Sequence, residues 1–326
     1  MADVRCVGAL IRNARNQVFV HHRTATRRLL PDTWDIVGGH VEAGESPREA
    51  LAREVEEETG WRLRRVEAVV ADWEWQLDGD VSRREVDYLV EVTGDLAAPR
   101  LEQGKHDASA WVGADDLELL MVGRTDGDRR LRDIVAKAVR LRLTDRLRLD
   151  PIGPEHAGDL YRLHEHPEVA EWYGHPWTAA EAEERAATFG REWARDGVQK
   201  WIAYDCGTGD LVGRGGLSYV ELDGRRQLEV GWVVQPRLWG QGYAQEIGRA
   251  GLRFAFDDLR ADEVIAFTER HNHRSQAVMD RLGMRYAGEL RRRGLVEGRE
   301  GEHDDAPFVR YVIDRATWAA AADLSG

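Results

Sequence analysis

The sequence has very little cysteine and no long apolar run. Its 326 residues include two cysteines, Cys6 and Cys206, which lie far apart in the chain. This scarcity argues against a disulfide scaffold and against a cysteine-based zinc site, and it favours a reducing compartment. No apolar stretch approaches the roughly 18 residues that a transmembrane helix needs. The N-terminal segment also lacks a basic region ahead of an apolar core. We therefore expect a strand there rather than a signal peptide, and a cytoplasmic protein.

Acidic residues outnumber basic residues in both halves of the chain. The formal net charge is -13 at pH 7, from 46 Lys and Arg against 59 Asp and Glu. Residues 1–143 carry 22 basic and 27 acidic residues, and residues 144–326 carry 24 and 32, so the net charges are -5 and -8. Because neither half is basic, non-specific binding to nucleic acid is not expected. A metal ion or a small cationic molecule suits this balance better.

The chain also lacks a linker rich in proline, glycine or serine, although 326 residues are too many for most single cores. We predict two closely adjoining domains, residues 1–143 and residues 144–326. In the first, alternating segments at 3–12 and 17–24 predict two strands paired across "NARN", and "TWDIVGGH" predicts a third. Strands before and after a helix predict an α/β sandwich, and the second half predicts a mixed sheet with helices. The fold class is α/β (α+β) in both halves.

One short segment is unusually acidic. The stretch "GGHVEAGESPREALAREVEEETGW", residues 38–61, predicts a helix with Ser46 as its N-cap. At about 100° per residue, Glu54, Glu57 and Glu58 fall on one side of that helix. Carboxylates that converge in this way require protons or a cation to neutralise them, and oxygen ligands suit Mg²⁺ or Mn²⁺. The alternative is a solvated acidic helix face.

The spacing within this segment is more specific than a run of glutamates. It fits G-x5-E-x7-R-E-U-x-E-E-x-G-U, where U is a bulky apolar residue. The matching positions are Gly39, Glu45, Arg53, Glu54, Val55, Glu57, Glu58, Gly60 and Trp61. Residues 1–140 therefore resemble the Nudix hydrolases, which hydrolyse a nucleoside diphosphate linked to another group. Trp61 departs from the aliphatic residue usual in that family, which concerns local packing rather than chemistry.

The resemblance implies a metal site and the groups around it. The implied metal ligands are the side chains of Glu54, Glu57 and Glu58 and the carbonyl of Gly38. Arg53 would hold Glu45 and orient the loop between them. Glu102 or His106 would supply a further base from a later loop. Candidates for substrate contact, with packing or surface placement as the alternative, are Trp34, Arg23 and His40.

The second half contains a glycine-rich turn without a Walker lysine. In "EVGWVVQPRLWGQGYAQEIG" a strand leads through Gly240 and Gly242 into a helix, but no G-K-[ST] follows and the third glycine of a dinucleotide fingerprint is missing. The segment does fit [QR]-x-x-G-x-[GA]. Glycines at these positions let a ligand approach the backbone, and N–H groups of residues 238–244 would point at an anion such as pyrophosphate. The alternative is a plain strand-to-helix junction.

Segments on both sides of this turn extend the pattern. They are "TDRLRLDPIGPEHAGDLYRLHEHPEVAEWYG" upstream, and "NHRSQAVMDRLGMRYAGEL" and "RATWAA" downstream. Residues 144–320 resemble the GNAT N-acetyltransferases, in particular those that act on ribosomal proteins and small amines. The resemblance implies acetyl-CoA as the donor. Its pyrophosphate would bind Arg237, Leu238, Trp239, Gly240, Gln241, Gly242, Tyr243 and Ala244. Its pantetheine arm would bind near Val234 and Asn272.

Direct transfer of an acetyl group to an amine requires a base for the amine and an acid for the leaving thiolate. Glu229, on the strand that faces the cofactor, is the candidate base, acting directly or through water. An ordinary strand glutamate is the alternative. The family often has a tyrosine acid seven residues after the asparagine, but this chain has Met279 there. Ser275 is the candidate acid, with water as the alternative. Residues 171–173, "EWY", lie where the family often builds its acceptor pocket.

These features together predict a bifunctional cytoplasmic enzyme, a Nudix hydrolase fused to a GNAT acetyltransferase. The expected cofactors are Mg²⁺ (or Mn²⁺) and acetyl-CoA. The expected partners are a small-molecule nucleotide and an amine acceptor of cationic type, with no nucleic acid and no membrane. Two alternatives remain for the first half: a sensor that binds a nucleotide without hydrolysing it, and a scaffold for the transferase. The complete acidic motif favours hydrolysis, because a pure binder has little need of all three ligands.

Overall fold

The chain folds as two compact units, residues 1–141 and 142–326. The computed structural model describes residues 3–77, 81–125, 127–299 and 301–323. Within these residues, no helix combines the length and the apolar character needed to cross a membrane. Each unit has its own sheet system and its own buried core.

The described residues of the first unit form two sheets, two α-helices and a short 3₁₀ helix at Leu117–Met121. Its elements are β1 (Val4–Ile11), β2 (Val18–Arg23), β3 (Trp34–Asp35), β4 (Val37–His40), α1 (Pro47–Thr59), β5 (Arg62–Leu77), β6 (Val81–Thr93), β7 (His106–Val112) and α2 (Arg130–Arg140). One sheet has the order β4-β1-β6-β5 and the other has the order β3-β2-β7. Helix α1 packs against β1, β4 and β5, and α2 contacts β2 and β5.

The expected pairing of the first two strands is wrong. β1 pairs with β4 and β6, whereas β2 pairs with β3 and β7 in the other sheet. Among the described residues, one bridge between Arg12 and Val18 joins the two strands. β1 is buried on both faces from Cys6 to Ile11, so it is an interior strand with a partner on each edge. The segment "TWDIVGGH", predicted as one strand, forms two short strands, because the chain passes from one sheet to the other at Ile36.

Helix α1 begins and ends where its residue types favour. Ser46 Oγ accepts a hydrogen bond from the backbone N–H of Glu49 at 3.3 Å, and the Glu49 carboxylate accepts one from the backbone N–H of Ser46 at 2.8 Å. This capping box starts the helix. Gly60, with φ of 72°, ends it in the left-handed conformation. Leu51 and Val55 are fully buried in the core beneath the helix, which sets the rotation of its acidic side.

The second unit is built on one eight-stranded sheet in the order β14-β15-β13-β12-β11-β10-β9-β8. Its elements are β8 (Arg142–Leu143), β9 (Leu147–Pro151), α3 (Ala157–His164), α4 (Pro167–Ala170), α5 (Ala179–Asp196), β10 (Lys200–Asp205), β11 (Leu211–Leu222), β12 (Arg225–Val234), α6 (Tyr243–Arg253), β13 (Glu263–Glu269), α7 (His273–Arg281), β14 (Arg285–Leu295), β15 (Glu302–Asp314) and α8 (Arg315–Asp323). Helix α6 packs against β11 and β12, and α3 packs against α5. Both units are therefore mixed α/β structures.

Candidate active sites

Arg53 ties the loop before α1 to the acidic side of the helix. Its Nε and Nη2 donate to the two carboxylate oxygens of Glu45 at 3.0 and 3.1 Å, and Nη2 also donates to the carbonyl of His40 at 3.0 Å. Its Nη1 donates to Glu54 Oε1 at 2.7 Å and to Glu57 Oε2 at 3.4 Å. The bidentate contact between Arg53 and the carboxylate of Glu45 is geometrically specific. One guanidinium therefore holds the loop and two of the three carboxylates among the predicted metal ligands.

Glu58 is the buried member of the acidic set. Its carboxylate Oε2 accepts a hydrogen bond from the backbone N–H of Gly38 at 3.0 Å, and the residue is only 3% exposed. Burial raises the pKa of Glu58 to about 8, and the nearby carboxylates of Glu54 and Asp35 add to the shift. Within the described ranges, no lysine or arginine forms an ion pair with it. A buried carboxylate with this surplus of negative charge around it fits a divalent cation.

The glycine pair on β4 lets the carboxylates approach the strand. A Cβ atom at Gly39 would collide with the carboxylate of Glu54, and one at Gly38 would collide with the carbonyl of Val7. Gly38 therefore requires glycine for space, and at Gly39 a side chain would displace the Glu54 carboxylate. Since the backbone of Gly38 already contacts Glu58, strand β4 and helix α1 supply backbone and carboxylate groups from two sides. These oxygen-rich donors suit Mg²⁺ or Mn²⁺.

Two buried histidines line the inner wall of this site. His106 Nε2 lies 3.7 Å from Glu58 Oε1, and His21 Nε2 lies 4.0 Å from Glu58 Oε2. Burial lowers the pKa of both imidazoles, to about 4 for His106. Their rings stack at 3.6 Å with an interplanar angle of 17°, so their in-plane lone pairs do not converge on one point. The two histidines therefore line the site and do not form a separate metal centre. Glu102, the other candidate base, pairs with Lys105 at 2.6 Å.

The three residues predicted to contact substrate have different surroundings. Arg23 Nη1 lies 3.3 Å from Asp35 Oδ2, so that guanidinium already has an anionic partner. The ring of His40 contacts the guanidinium of Arg83. Trp34 is half-buried at the start of β3. Among the site residues, sequence reasoning missed His21, because one histidine in a short apolar strand carries no signal of its own.

The glycine-rich turn of the second unit joins β12 to α6. Gly240 and Gly242 have φ of 76° and 85°, a conformation that glycine adopts without strain. A Cβ atom at Gly240 would meet nothing within 4 Å, so this side of the turn is open. Trp239 Nε1 donates to the carbonyl of Val234 at 2.8 Å, which anchors the turn to the end of the strand. Residues 237–244 therefore place an open turn directly before the first N–H groups of α6. N–H groups at the start of a helix can bind an anion.

Strands β12 and β13 separate beside this turn. Among the described residues, these two parallel strands pair at Glu229 of β12 and Ile265 of β13. On its other edge β12 continues to pair with β11 as far as Val234. In the described part of the chain, one backbone edge of the last residues of β12 therefore has no strand partner, and an extended ligand can pair with it.

Ser275, the predicted acid, and Asn272, the predicted contact of the cofactor, lie together at the start of α7. The side chain of Asn272 caps this helix by accepting a hydrogen bond from the backbone N–H of Ser275 at 3.1 Å. Ser275 is half-buried, whereas Met279 is 2% exposed and packs in the core. Met279 at the tyrosine position of the family is thus a core residue.

Glu229, the predicted base, is paired with a lysine that sequence reasoning missed. Lys200 Nζ lies 2.5 Å from Glu229 Oε2, and the hydroxyl of Ser218 donates to the same oxygen at 3.1 Å. Lys200 also donates to the carbonyl of Gly216 at 2.9 Å. Burial lowers the pKa of Lys200, and the carboxylate of Glu229 opposes that shift. Glu229 must loosen this pair before it can accept a proton.

Aromatic residues in the predicted acceptor region belong to a packed cluster around Arg214. The Arg214 Nε donates to His164 Nε2 at 2.9 Å, and its Nη2 donates to the hydroxyl of Tyr173 at 2.9 Å. The guanidinium also lies 5.8 Å from the ring centroids of Tyr173 and Trp177. Trp172 instead stacks on His271 at 5.3 Å. Of the predicted triplet, Tyr173 is therefore partly buried and packs against the core.

Comparisons with known proteins match each half of the chain to a family. The NUDIX domain family model matches residues 3–136, and the acetyltransferase (GNAT) domain model matches residues 146–285. An FsC-acetyl coenzyme A-N(2)-transacetylase from Aspergillus fumigatus is 32% identical over 190 residues, covering 54% of this chain and 76% of the relative. An RNA pyrophosphohydrolase from Rhodospirillum rubrum is 33% identical over 129 residues, covering 36% of this chain and 76% of the relative. The uncharacterized protein YkkB from Bacillus subtilis is 29% identical over 151 residues, covering 46% of this chain and 88% of the relative.

Two enzyme classes thus meet in one chain, a hydrolase and an acyltransferase. The chain belongs to the Nudix family over residues 3–136 and to the GNAT acetyltransferases over residues 146–285.

Proposed function

We propose that this protein is a bifunctional enzyme with the domains 1–143 and 144–326. The first hydrolyses a nucleoside diphosphate linked to another group, with Mg²⁺ or Mn²⁺. The second transfers the acetyl group of acetyl-CoA to an amine. The observation that supports hydrolysis best is Glu58, which is buried beside other carboxylates without a lysine or arginine partner in the described part of the chain. The two cysteines support a cytoplasmic location.

In the Nudix half, the chain holds the ion and orients the diphosphate. Glu54, Glu57, Glu58 and the carbonyl of Gly38 would be the ligands. A divalent ion bound there neutralises pyrophosphate oxygens and lowers the pKa of the attacking water. Arg53 keeps two of these glutamates and the preceding loop in place.

A base close to the ligands would accept the proton of the attacking water. His106 is one candidate, because its imidazole is neutral near pH 7 and lies 3.7 Å from Glu58. Glu102 is the other candidate, once Lys105 releases it. His106 would act from the start of β7, and Glu102 from the loop before it.

In the GNAT half, the open turn and the free edge of β12 would bind acetyl-CoA. The pyrophosphate would lie on residues 237–244 at the start of α6, and the pantetheine arm would pair with the backbone near Val234. Asn272 would contact that arm with the amide N–H₂ that the helix cap leaves unused. Glu229, through water, would accept the proton of the amine, and Ser275 would protonate the thiolate.

The names of the relatives support this division of labour. One is named for the transfer of an acetyl group from coenzyme A to a nitrogen, and the other for hydrolysis of a pyrophosphate in RNA. We propose a small nucleotide for the first half, because its net charge of -5 is unfavourable for a nucleic-acid chain. For the second half we propose a small amine of cationic type, in keeping with its net charge of -8.

The test compares three glutamine variants of α1 in the full chain. We expect Glu57→Gln and Glu58→Gln to abolish Mg²⁺-dependent release of phosphate products in a nucleotide screen. The matched control is Glu56→Gln, whose exposed side chain pairs with Arg62 at 3.8 Å. Acetyl transfer to amines is assayed in parallel and should persist in all three variants.

Two results would contradict the proposal. Wild-type hydrolysis in both Glu57→Gln and Glu58→Gln would exclude the assigned metal site. A wild-type chain that hydrolyses no nucleotide, yet transfers acetyl groups, would favour a sensor or a scaffold in the first half.

A further inference from the structure

The loop that joins β2 to β3, residues 24–33, lies beside the start of β7. The backbone N–H of Thr24 donates to the carbonyl of Lys105 at 3.0 Å, and the hydroxyl of Thr24 donates to the carbonyl of Gly104 at 3.1 Å. His106, which lines the proposed metal site, is the residue after Lys105. These bonds therefore hold the loop next to that site.

Arg27 lies in this loop, close to the two buried histidines. Its backbone N–H donates to the carbonyl of Thr24 at 3.0 Å, which closes a turn, and its side chain is half-buried. Burial lowers the pKa of His21 and of His106, and the positive charge of Arg27 adds to both shifts. The guanidinium therefore lies within electrostatic reach of the residues that line the metal site.

The guanidinium of Arg27 has no acidic partner in the described part of the chain, and its buried Nε has no hydrogen-bond partner there. Two nearby arginines differ in this respect. Arg23 lies 3.3 Å from Asp35, and Arg124 lies 2.9 Å from Asp128. Buried polar atoms are nearly always paired, so a half-buried cation without an acid indicates an anionic ligand.

The loop is also held in one shape on the other side of Arg27. Arg23 donates from Nε and Nη2 to the carbonyl of Leu29 at 3.2 and 3.0 Å, which ties this part of the loop to β2. Leu30 and Asp32 have φ of 47° and 52°, in the left-handed region that such residues rarely adopt. Strain of this kind persists only where the surrounding contacts enforce it, and it is concentrated at binding and catalytic sites.

A diphosphate at this site needs more positive charge than one divalent ion supplies. The predicted ligands Glu54, Glu57 and Glu58 are themselves negative when they hold the ion, and the diphosphate adds further negative charge. An arginine presents its N–H groups in a planar fork that matches phosphate oxygens. Arg27 carries such a fork beside His106, where no carboxylate in the described ranges neutralises it.

We infer that Arg27 binds a phosphate group of the substrate diphosphate, on the side of the site that His106 lines. The contact is to phosphate oxygens alone, so it does not depend on the nucleoside. Sequence reasoning named Arg23 for substrate contact and missed Arg27, because the pairing of Arg23 with Asp35 is a tertiary contact. This inference rests on the proposed Nudix function and adds the residue that recognises the anionic part of the substrate.

The test measures binding without turnover. Methylenediphosphonate, whose P–C–P bridge water does not hydrolyse, is titrated calorimetrically into the full chain in excess Mg²⁺. We expect Arg27→Met to weaken binding by about tenfold or more, because hydrogen bonds between charged groups are lost. Arg27→Lys keeps the charge without the fork and should recover part of that loss. Mg²⁺ alone should bind Arg27→Met at least as tightly as it binds the wild type, because the variant removes positive charge near the ion.

The matched control is Arg28→Met. Arg28 is the next residue and is exposed, so the same loss of charge there should leave the affinity for methylenediphosphonate unchanged. The inference is overturned by any of three results: no binding to the wild type, equal binding to the wild type and Arg27→Met, or weaker binding of Mg²⁺ alone to Arg27→Met, which would reveal a structural role. Binding that depends on Arg27, in a chain that hydrolyses no nucleotide, would support the inference while contradicting the proposed function. Hydrolysis by a chain in which Arg27→Met binds normally would do the reverse.

Discussion

Removing one side of the buried ion pair between Lys200 and Glu229 should destabilise the second unit strongly. Their charged atoms are 2.5 Å apart and the side chains are 9% and 12% exposed. In Lys200→Met, the carboxylate keeps the hydroxyl of Ser218 as its side-chain partner among the described residues. In Glu229→Met, the ammonium keeps backbone carbonyls, including that of Gly216, as its partners in the described part of the chain. We expect each variant to lose about 3–5 kcal/mol, because a buried charge is left without its partner.

The double variant should be far more stable than the sum of the two losses implies. With both charges gone, methionine side chains fill a similar volume, and we expect a stability within about 1–2 kcal/mol of the wild type. Calorimetry measures the unfolding transition of the second unit, with the transition of the first unit as an internal reference. The reasoning is refuted if the two single losses simply add in the double variant.

The same double variant tests the assignment of the catalytic base. If Glu229 accepts the proton of the amine, kcat for acetyl transfer should fall by about 10²-fold or more in a folded double variant. The binding of acetyl-CoA should change little, because neither side chain belongs to the turn. An unchanged kcat would mean that Glu229 serves the fold alone.

Three further predictions concern both sites. In EDTA, the first unit should lose stability as pH rises, because folded Glu58 holds its proton to a pKa of about 8 whereas the unfolded chain releases it near 4.5. In Glu58→Gln, the free energy of unfolding measured in urea at pH 8 should keep up to about 4 kcal/mol that the wild type loses. Parallel plots of unfolding free energy against pH for the wild type and the variant would contradict this. Gly242→Val should weaken acetyl-CoA binding at least about tenfold by calorimetry while Nudix turnover persists, since the turn has φ of 85° there; Gly209→Val, at φ of 74° in a different turn, is the control, and equal affinities would refute the placement. The KM for a cationic amine should rise between low and physiological ionic strength with kcat changing less, and a KM indifferent to salt would remove the charge argument.

Local signals in the sequence determined the acidic helix and the families. The cap at Ser46, the stop at Gly60 and the apolar spacing of Leu51 and Val55 all act within one helix, so the chain needs no distant partner to reveal them. The spacing of the glutamates follows from the same helix and sets which of them share a side. The turn through Gly240 and Gly242 is local in the same way.

The tertiary structure alone decided which strands are neighbours. Hydrophobic pattern tells which face of a strand is buried, but it does not say which strand lies beside it. β1 and β2 are separated by a short turn, yet they belong to different sheets, because β1 is buried on both faces and takes partners from β4 and β6.

The surroundings of the charged groups also depended on long-range packing. Glu58 meets His21 and His106, and Lys200 meets Glu229, across strands and helices that no short motif connects. Burial and opposing charge set their protonation, and both quantities are properties of the packed protein rather than of the residue. The sequence by itself therefore determined the acidic helix and the two families. Only the tertiary structure decided which charged residues are buried and what they face, because those contacts join parts of the chain that are far apart.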